Sequence, residues 1–336
     1  MKKKTCMILS LVALAVVGCN KAGTSETGPA SEPMVFSAST VQTKAVFASG
    51  DDGTLEWSSY DNLGVYSFDG VSLVHNGFAA MKNFTGSEAV FTSSDSRAAW
   101  AGAASNLTFY AYYPQLLAPE ASYSTGRGTV ALTVPTAQNG EFGRYHICYA
   151  TTDITADALT AGEPVNFEFA PKTSMIRVRP VLSADSDVDQ VAIKQVVISI
   201  ADNKTLVGDC EMALSTGNLS FGSGASVVSV TLPTAAVITK TVSSNPFFTA
   251  ILLPATSNNS VLSFYAVASD GTRLTMANKL SPTTFVAGTR YSIDREVTVL
   301  ITADGTPDGQ YIDGGYAWAA GEVVEDGAYT DGGMAW

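Results

Sequence analysis

From Met34 onward, apolar residues arrive in short runs, each closed by polar or turn-forming residues. The first half holds MVFSAS (34–39), LGVYSFD (63–69), LTFYAYY (107–113), TVALTV (129–134) and HICYAT (146–151). The second half holds VNFEF (165–169), MIRVRPV (175–181), VAIKQVVISI (191–200), VVSVTL (227–232), FFTAILL (247–253), VLSFYAVA (261–268) and YSIDREVTVL (291–300). Runs of this kind, rich in Val, Ile and aromatic residues and separated by Gly, Ser, Asn and Asp, predict β-strands. In MIRVRPV the apolar Met175, Ile176, Val178 and Val181 surround Arg177 and Arg179, an alternation that suits a strand. SVLSFYAV is denser in apolar residues, which predicts a strand buried on both faces. Long segments with helical period are absent; the stretch 154–161 predicts at most a helical turn. Many short strands with turn residues between them predict all-β sandwiches.

The strands divide into two groups. TADALTAGEP (155–164), with small residues, Gly162 and Pro164, is the best linker. One sandwich is expected at 34–162 and a second at 163–300.

Both ends differ from this body. Lys2, Lys3 and Lys4 precede an apolar core, Met7 to Val17, and then Val16-Val17-Gly18-Cys19. Basic region, apolar region and lipobox-like tetrapeptide together form the pattern of a bacterial lipoprotein signal peptide, residues 1–18, with Cys19 the lipidated residue. The apolar core is too short to span a membrane. Residues 19–33 form a flexible linker, with no aliphatic residue larger than Ala after Cys19. At the other end, residues 301–336 carry seven acidic residues and no Lys or Arg. They also carry a repeat: YIDGGYAW (311–318) matches YTDGGMAW (329–336). Large aromatics at fixed spacing in an acidic, Gly-rich tail read as anchors for a partner surface. The alternative is an extension whose aromatics tuck back onto its own domain.

Composition narrows the chemistry. The net charge is −12. Nucleic-acid affinity comes from Lys and Arg neutralising phosphates, so such a partner has no electrostatic basis here. Two histidines, His75 and His146, argue against most hydrolase and metal-site chemistry, and four cysteines are too few for a disulfide-dense scaffold. His146 and Cys148 share one face of a predicted strand, but no second ligand pair of matching spacing accompanies them. Cys148 and Cys210 are candidates for one disulfide in an exported protein. Asp304, Asp308 and Asp313 lie beside glycines, which turn chemistry explains more simply than a calcium loop. No Gly-rich loop precedes a helix, and no carboxylate pair stands out. The expected inventory is no catalytic residue, no metal and no cofactor.

Several segments, taken in order, resemble the fimbrillin family, pilin subunits and related lipoproteins of anaerobic Gram-negative bacteria. MVFSASTVQTKAVF (34–47) is similar to the family's first strand and the basic residue after it. Trp57 with LGVYSFD, FTGSEAVF (84–91), Trp100, LTFYAYYP (107–114), VPTAQ (134–138), YATT (149–152) and VNFEFAPKTSMIRVRP (165–180) follow. FFTAILLPATS (247–257) and FVAGTRYSIDREVTV (285–299) resemble the family's later strands. The repeated tail is not part of this resemblance.

The expected fold is therefore all-β: two tandem antiparallel β-sandwich domains of transthyretin-like type with an extended tail. The resemblance implies a polymerising subunit of a surface fimbria, exported to the outer membrane as a lipoprotein. A trypsin-like protease would cut between Lys44 and Ala45, Lys44 being the first basic residue after the first strand. Removal of that strand would open a groove, and the tail of another fimbrial subunit would fill it. The expected anchors are Tyr311, Tyr316, Trp318, Tyr329, Met334 and Trp336. A rival expectation is a surface lipoprotein that binds glycan or a host ligand without polymerising, or a fimbrial tip adhesin, with Tyr110, Tyr112 and Tyr113 as its stacking surface, although aromatic strand residues more often belong to the core.

Overall fold

The computed structural model of the chain describes residues 28–40, 57, 59, 61–70, 72–85, 88–102, 106–115, 121–122, 128–301, 307–308 and 330–331. The strands of the first half are β1 (Pro33–Thr40), β2 (Asn62–Asp69), β3 (Ser72–Thr85), β4 (Glu88–Ser96), β5 (Asn106–Tyr113), β6 (Ala121–Ser122), β7 (Thr129–Val134), β8 (Ala137–Asn139), β9 (Cys148–Thr155) and β10 (Val165–Pro171). Two single-turn helices, α1 (Arg97–Ala101) and α2 (Ala156–Thr160), interrupt them. The second half adds β11 (Ser174–Leu182), β12 (Gln190–Ile200), β13 (Val207–Ala213), β14 (Leu219–Ala225), β15 (Val227–Thr239), β16 (Phe248–Leu252), β17 (Val261–Ala268), β18 (Arg273–Leu280) and β19 (Thr289–Val297). Three two-residue strands follow: β20 (Leu300–Ile301), which pairs with β21 (Pro307–Asp308), and β22 (Thr330–Asp331).

The chain is all-β, and its strands form two bodies. In the first, seven strands close into a barrel in the order β1-β10-β9-β5-β2-β3-β4. A two-sheet sandwich was the expectation; β1 removes the distinction by pairing with β10 on one side and β4 on the other. In the second body, the sheet β16-β11-β19-β18-β17-β12-β15-β8, with β22 added to β19, shares a core with the smaller sheet β14-β13-β7-β6.

The strands do not divide at the expected 162/163. Val165, Phe167 and Phe169 of β10 point into the barrel core, although they follow the stretch read as a linker. Val130, Leu132 and Val134 of β7 pack in the second core, although they precede it. The stretch 155–164 is a short connection inside the barrel. Thr155 caps α2 by accepting the Ala158 amide at 3.3 Å, and β10 starts directly afterwards.

Burial follows the pleat, with two departures from expectation. β5 is buried on both faces: Leu107, Phe109, Ala111 and Tyr113 fill the barrel, while Tyr110 and Tyr112 pack outward against the second core. β17 was the strand expected to be doubly buried, but Ser263, Tyr265 and Val267 stay half-exposed. The two bodies meet on aromatic rings. Tyr66 stacks on Tyr112, Tyr110 stacks on Tyr149, and the Tyr149 hydroxyl donates to the Leu214 carbonyl at 2.6 Å. Gly217 passes beneath the Tyr149 ring with φ +66°, so close that a Cβ would stand 2.3 Å from the ring.

Candidate functional site

β1 is the element whose surroundings are most specific. It runs parallel to β10, with Phe36 opposite Val165 and Thr40 opposite Phe169. It runs antiparallel to β4, with Val35 opposite Thr92 and Ser39 opposite Glu88. Strict alternation sends Met34, Phe36 and Ala38 inward, where they are fully buried, and leaves Val35, Ser37 and Ser39 outward. Phe36 lies at the centre of an aromatic cluster. Its ring is 5.4 Å from Trp100, 5.8 Å from Phe167 and 6.3 Å from Phe109, centroid to centroid. Trp57 closes a second cluster against Phe91, Tyr113 and Phe169. Burying one Phe, one Met and one Ala side chain contributes roughly 5 kcal/mol. The backbone groups on both edges of β1 are paired as well.

A buried arginine holds the entry to this strand. The Arg97 backbone amide donates to the Glu32 carbonyl at 2.9 Å, and its guanidinium donates to the Glu163 carbonyl at 2.9 Å. Its Nε lies 4.0 Å from the Glu32 carboxylate. Arg97 thus ties the residue before β1 to the turn before β10. Sequence reasoning missed it, because RAAWA (97–101) carries no pattern beyond a helical turn. Without β1, the barrel would keep two unpaired edges, on β4 and β10, above a floor of Phe91, Trp100, Phe109 and Phe167. Such a slot fits one strand with alternate apolar residues.

The model of the fimbrillin-like family matches residues 43–307. The chain belongs to the fimbrillin-like family. A candidate cell adhesion protein of Bacteroides uniformis has a similar fold, at 15% identity and a TM-score of 0.50, covering 82% of this chain and 95% of that one. A second candidate cell adhesion protein, from Bacteroides ovatus, is 16% identical, with a TM-score of 0.48 over 79% of this chain and 92% of that one. A fimbrial protein of Bacteroides vulgatus is 11% identical, with a TM-score of 0.45 over 81% of this chain and 96% of that one. No curated protein matches.

In this fimbrillin-like chain the other sequence-predicted residues fall into two sets. Cys19, Lys44, Ala45, Tyr311, Tyr316, Trp318, Tyr329, Met334 and Trp336 lie outside the described residues. The rest are buried. Tyr110, Tyr112 and Tyr113, the stacking surface of the rival reading, are only 2–3% exposed. The Tyr113 hydroxyl donates to Asp61 at 2.8 Å; burial first, and the Asp61 charge second, hold its pKa well above the usual tyrosine value. These rings are core and interface, not a platform.

His146 and Cys148 are buried too. His146 Nδ1 lies 2.8 Å from Thr173 Oγ1, and burial pushes the ring's pKa down to about 3, so it is neutral. The Cys148 thiol contacts the His146 carbonyl oxygen at 3.8 Å. Cys148 belongs to the barrel core and Cys210 to the second core. Both are free thiols, so the disulfide considered between them is not formed. Burial also pushes the Cys210 thiol up to about 12. Among the described residues no group of three or more His, Cys, Asp and Glu side chains could hold a metal.

Proposed function

We propose that this chain is a structural subunit of a cell-surface fimbria that polymerises when β1 is exchanged for a strand from a neighbour. The observation that carries the reading is β1 itself. It lies at the start of the described chain and pairs with two strands remote in sequence. Its core-facing side chains form a plug that another alternating segment can imitate.

In this reading the precursor is exported with residues 1–18 as leader, and Cys19 carries the lipid that holds it at the outer membrane. A trypsin-like protease cuts between Lys44 and Ala45, which detaches β1 from the barrel. The empty slot then receives residues 301–336 of another subunit. That segment extended would reach roughly 120 Å, at about 3.3 Å per residue. Contact between slot and tail is head-to-tail, so it does not close on itself and gives a filament. The subunit serves adhesion as part of that filament and needs no cofactor.

The rival, a monomeric surface lipoprotein stacking sugars on Tyr110, Tyr112 and Tyr113, loses its binding surface to burial of all three rings. Deleting residues 301–336 tests the proposal. A folded monomer that forms no fibres is expected; normal fibres would remove the tail as donor. Replacing Cys19 by Ala should release the protein from the membrane, and unchanged membrane association would sink the lipid anchor.

A further inference from the structure

The outer face of the larger sheet in the second body carries a hollow of about 520 Å³, a volume inside the about 300–1,000 Å³ of small-molecule sites. Three neighbouring strands build its floor and one wall. Val197 of β12 is level with Ser229 of β15 on one side and with Tyr265 of β17 on the other. Val196, Val230 and Phe264, next to them in sequence, face the core, so Val197, Ser229 and Tyr265 face outward. Two short side chains beside a tall ring leave a depression. Gln195, two residues along β12, lines the same hollow, and Thr136 and the 224–226 crossing from β14 to β15 line its far side.

The lining is neutral: among the described residues no charged side chain borders the hollow. The Gln195 side-chain amide donates to Thr231 Oγ1 at 2.8 Å, which fixes the amide and leaves its carbonyl oxygen as an acceptor. The Ser229 hydroxyl donates to the Thr136 carbonyl at 3.4 Å and keeps its own lone pairs. The Tyr265 ring is half-exposed, and the Arg273 guanidinium of β18 lies 3.7 Å from its centre. β18 and β12 flank β17 on opposite sides, so Arg273 backs the ring from the side away from the hollow and holds it as a wall.

These features select a class of ligand. A phosphate or carboxylate needs a cation to replace its water, and the lining has none. A wholly apolar ligand would leave the amide and hydroxyl groups of the floor without partners. A pyranose sugar satisfies both conditions, with one face of C–H groups for the aromatic wall and a rim of hydroxyls that donate and accept. We propose that this hollow binds a neutral pyranose, the terminal sugar of a glycan, with its C–H face on Tyr265 and its hydroxyls on Gln195 and Ser229. Repeated along a filament, weak single contacts of this kind add to an avid one. That consequence rests on the polymerisation proposed above, but the binding itself does not.

Saturation-transfer NMR on the full mature chain tests this, with the methyl glycosides of glucose, galactose, mannose and N-acetylglucosamine as probes at about 10 mM each. At least one should bind, with the strongest transfer to protons of its C–H face. Tyr265→Ala should weaken that probe roughly tenfold or more, whereas Tyr265→Phe, which keeps the wall, should weaken it less. Ser229→Tyr fills the hollow from an outward-facing position and should abolish binding while the thermal midpoint shows the chain still folded. No binding by any of these probes would overturn the proposal, as would binding that survives both Tyr265→Ala and Ser229→Tyr. N-acetylneuraminic acid is the charged control, and binding by it alone would contradict a neutral site. Fibre growth separates this site from assembly. Sugar binding by a wild-type chain that forms no fibres keeps the site and removes the filament. Fibres lost in Ser229→Tyr, with no sugar bound by the wild type, would make the hollow a contact between subunits instead.

Discussion

Replacing Phe36 by alanine asks whether β1 is an integral strand of the barrel. The Phe36 side chain is fully buried and meets Trp100, Phe109 and Phe167 at ring separations of 5.4–6.3 Å. Core Phe→Ala changes cost about 3–5 kcal/mol, through lost transfer energy and the cavity left behind. Aromatic pairing places this site in the upper part of that range. A loss of about 4 kcal/mol is a large share of the about 5–15 kcal/mol that holds a typical domain folded. Urea unfolding of the uncleaved chain, followed by tryptophan fluorescence, reads the loss directly, since Trp57 and Trp100 both sit in the barrel core. Ser39→Ala, on the exposed face of the same strand, should change stability by less than about 0.5 kcal/mol. A loss below about 1 kcal/mol for Phe36→Ala would refute the reasoning, because β1 would then be a surface ribbon whose removal opens no slot.

Three further outcomes follow from the same geometry. His146 is held neutral, with its folded pKa depressed from the usual 6.5 to about 3. The unfolded state binds that proton first, so stability is complete above about pH 6.5 and is lost toward pH 3, by up to about 1.4 kcal/mol per pH unit. Urea midpoints against pH should show this slope in the wild type and a flatter one in His146→Gln; identical slopes would remove His146 as the cause. Gly217→Ala should destabilise the chain by several kcal/mol, about 3 or more, because φ is +66° and the new Cβ would meet the Tyr149 ring. A thermal midpoint within two or so degrees of wild type would contradict that, at about 2–4 °C per kcal/mol for a chain this size. Cys148 and Cys210 should be unreactive toward a thiol reagent in the folded chain and both react in urea; a 148–210 disulfide in a non-reduced peptide map would contradict the separate cores.

Most strands were legible in the sequence because turn residues bracket their apolar runs, and the helical turn at Ala156–Thr160 was legible too; β3, β13, β14 and β18 were not singled out, because their apolar residues are sparser and mixed with Gly, Asn and charged residues. Closure of the barrel was not. It depends on which edges β1 finds, and no local pattern in PMVFSAST specifies Val165 and Thr92 as partners. The expected boundary failed for a related reason. TVALTV and VNFEF have the same alternation, so nothing in either run says that the first belongs to the second core and the second to the barrel. The tyrosines of β5 are buried, as aromatic strand residues most often are, but nothing in LTFYAYY says that Tyr113 enters the barrel while Tyr110 and Tyr112 meet the second core. Arg97 left no signal, because its partners are the backbone carbonyls of Glu32 and Glu163 and a carboxylate 65 residues earlier in the chain. The tail's YxDGGxAW repeat is plain in the sequence, and its use as an anchor on another subunit belongs to the function proposed above.

The most direct test is the N-terminal sequence of subunits in assembled fibres, read by mass spectrometry after depolymerisation. Chains that begin at Ala45 and lack residues 33–40 are the predicted result. Fibres built from subunits that still contain those residues, with β1 in its place between β4 and β10, would contradict strand exchange at this slot.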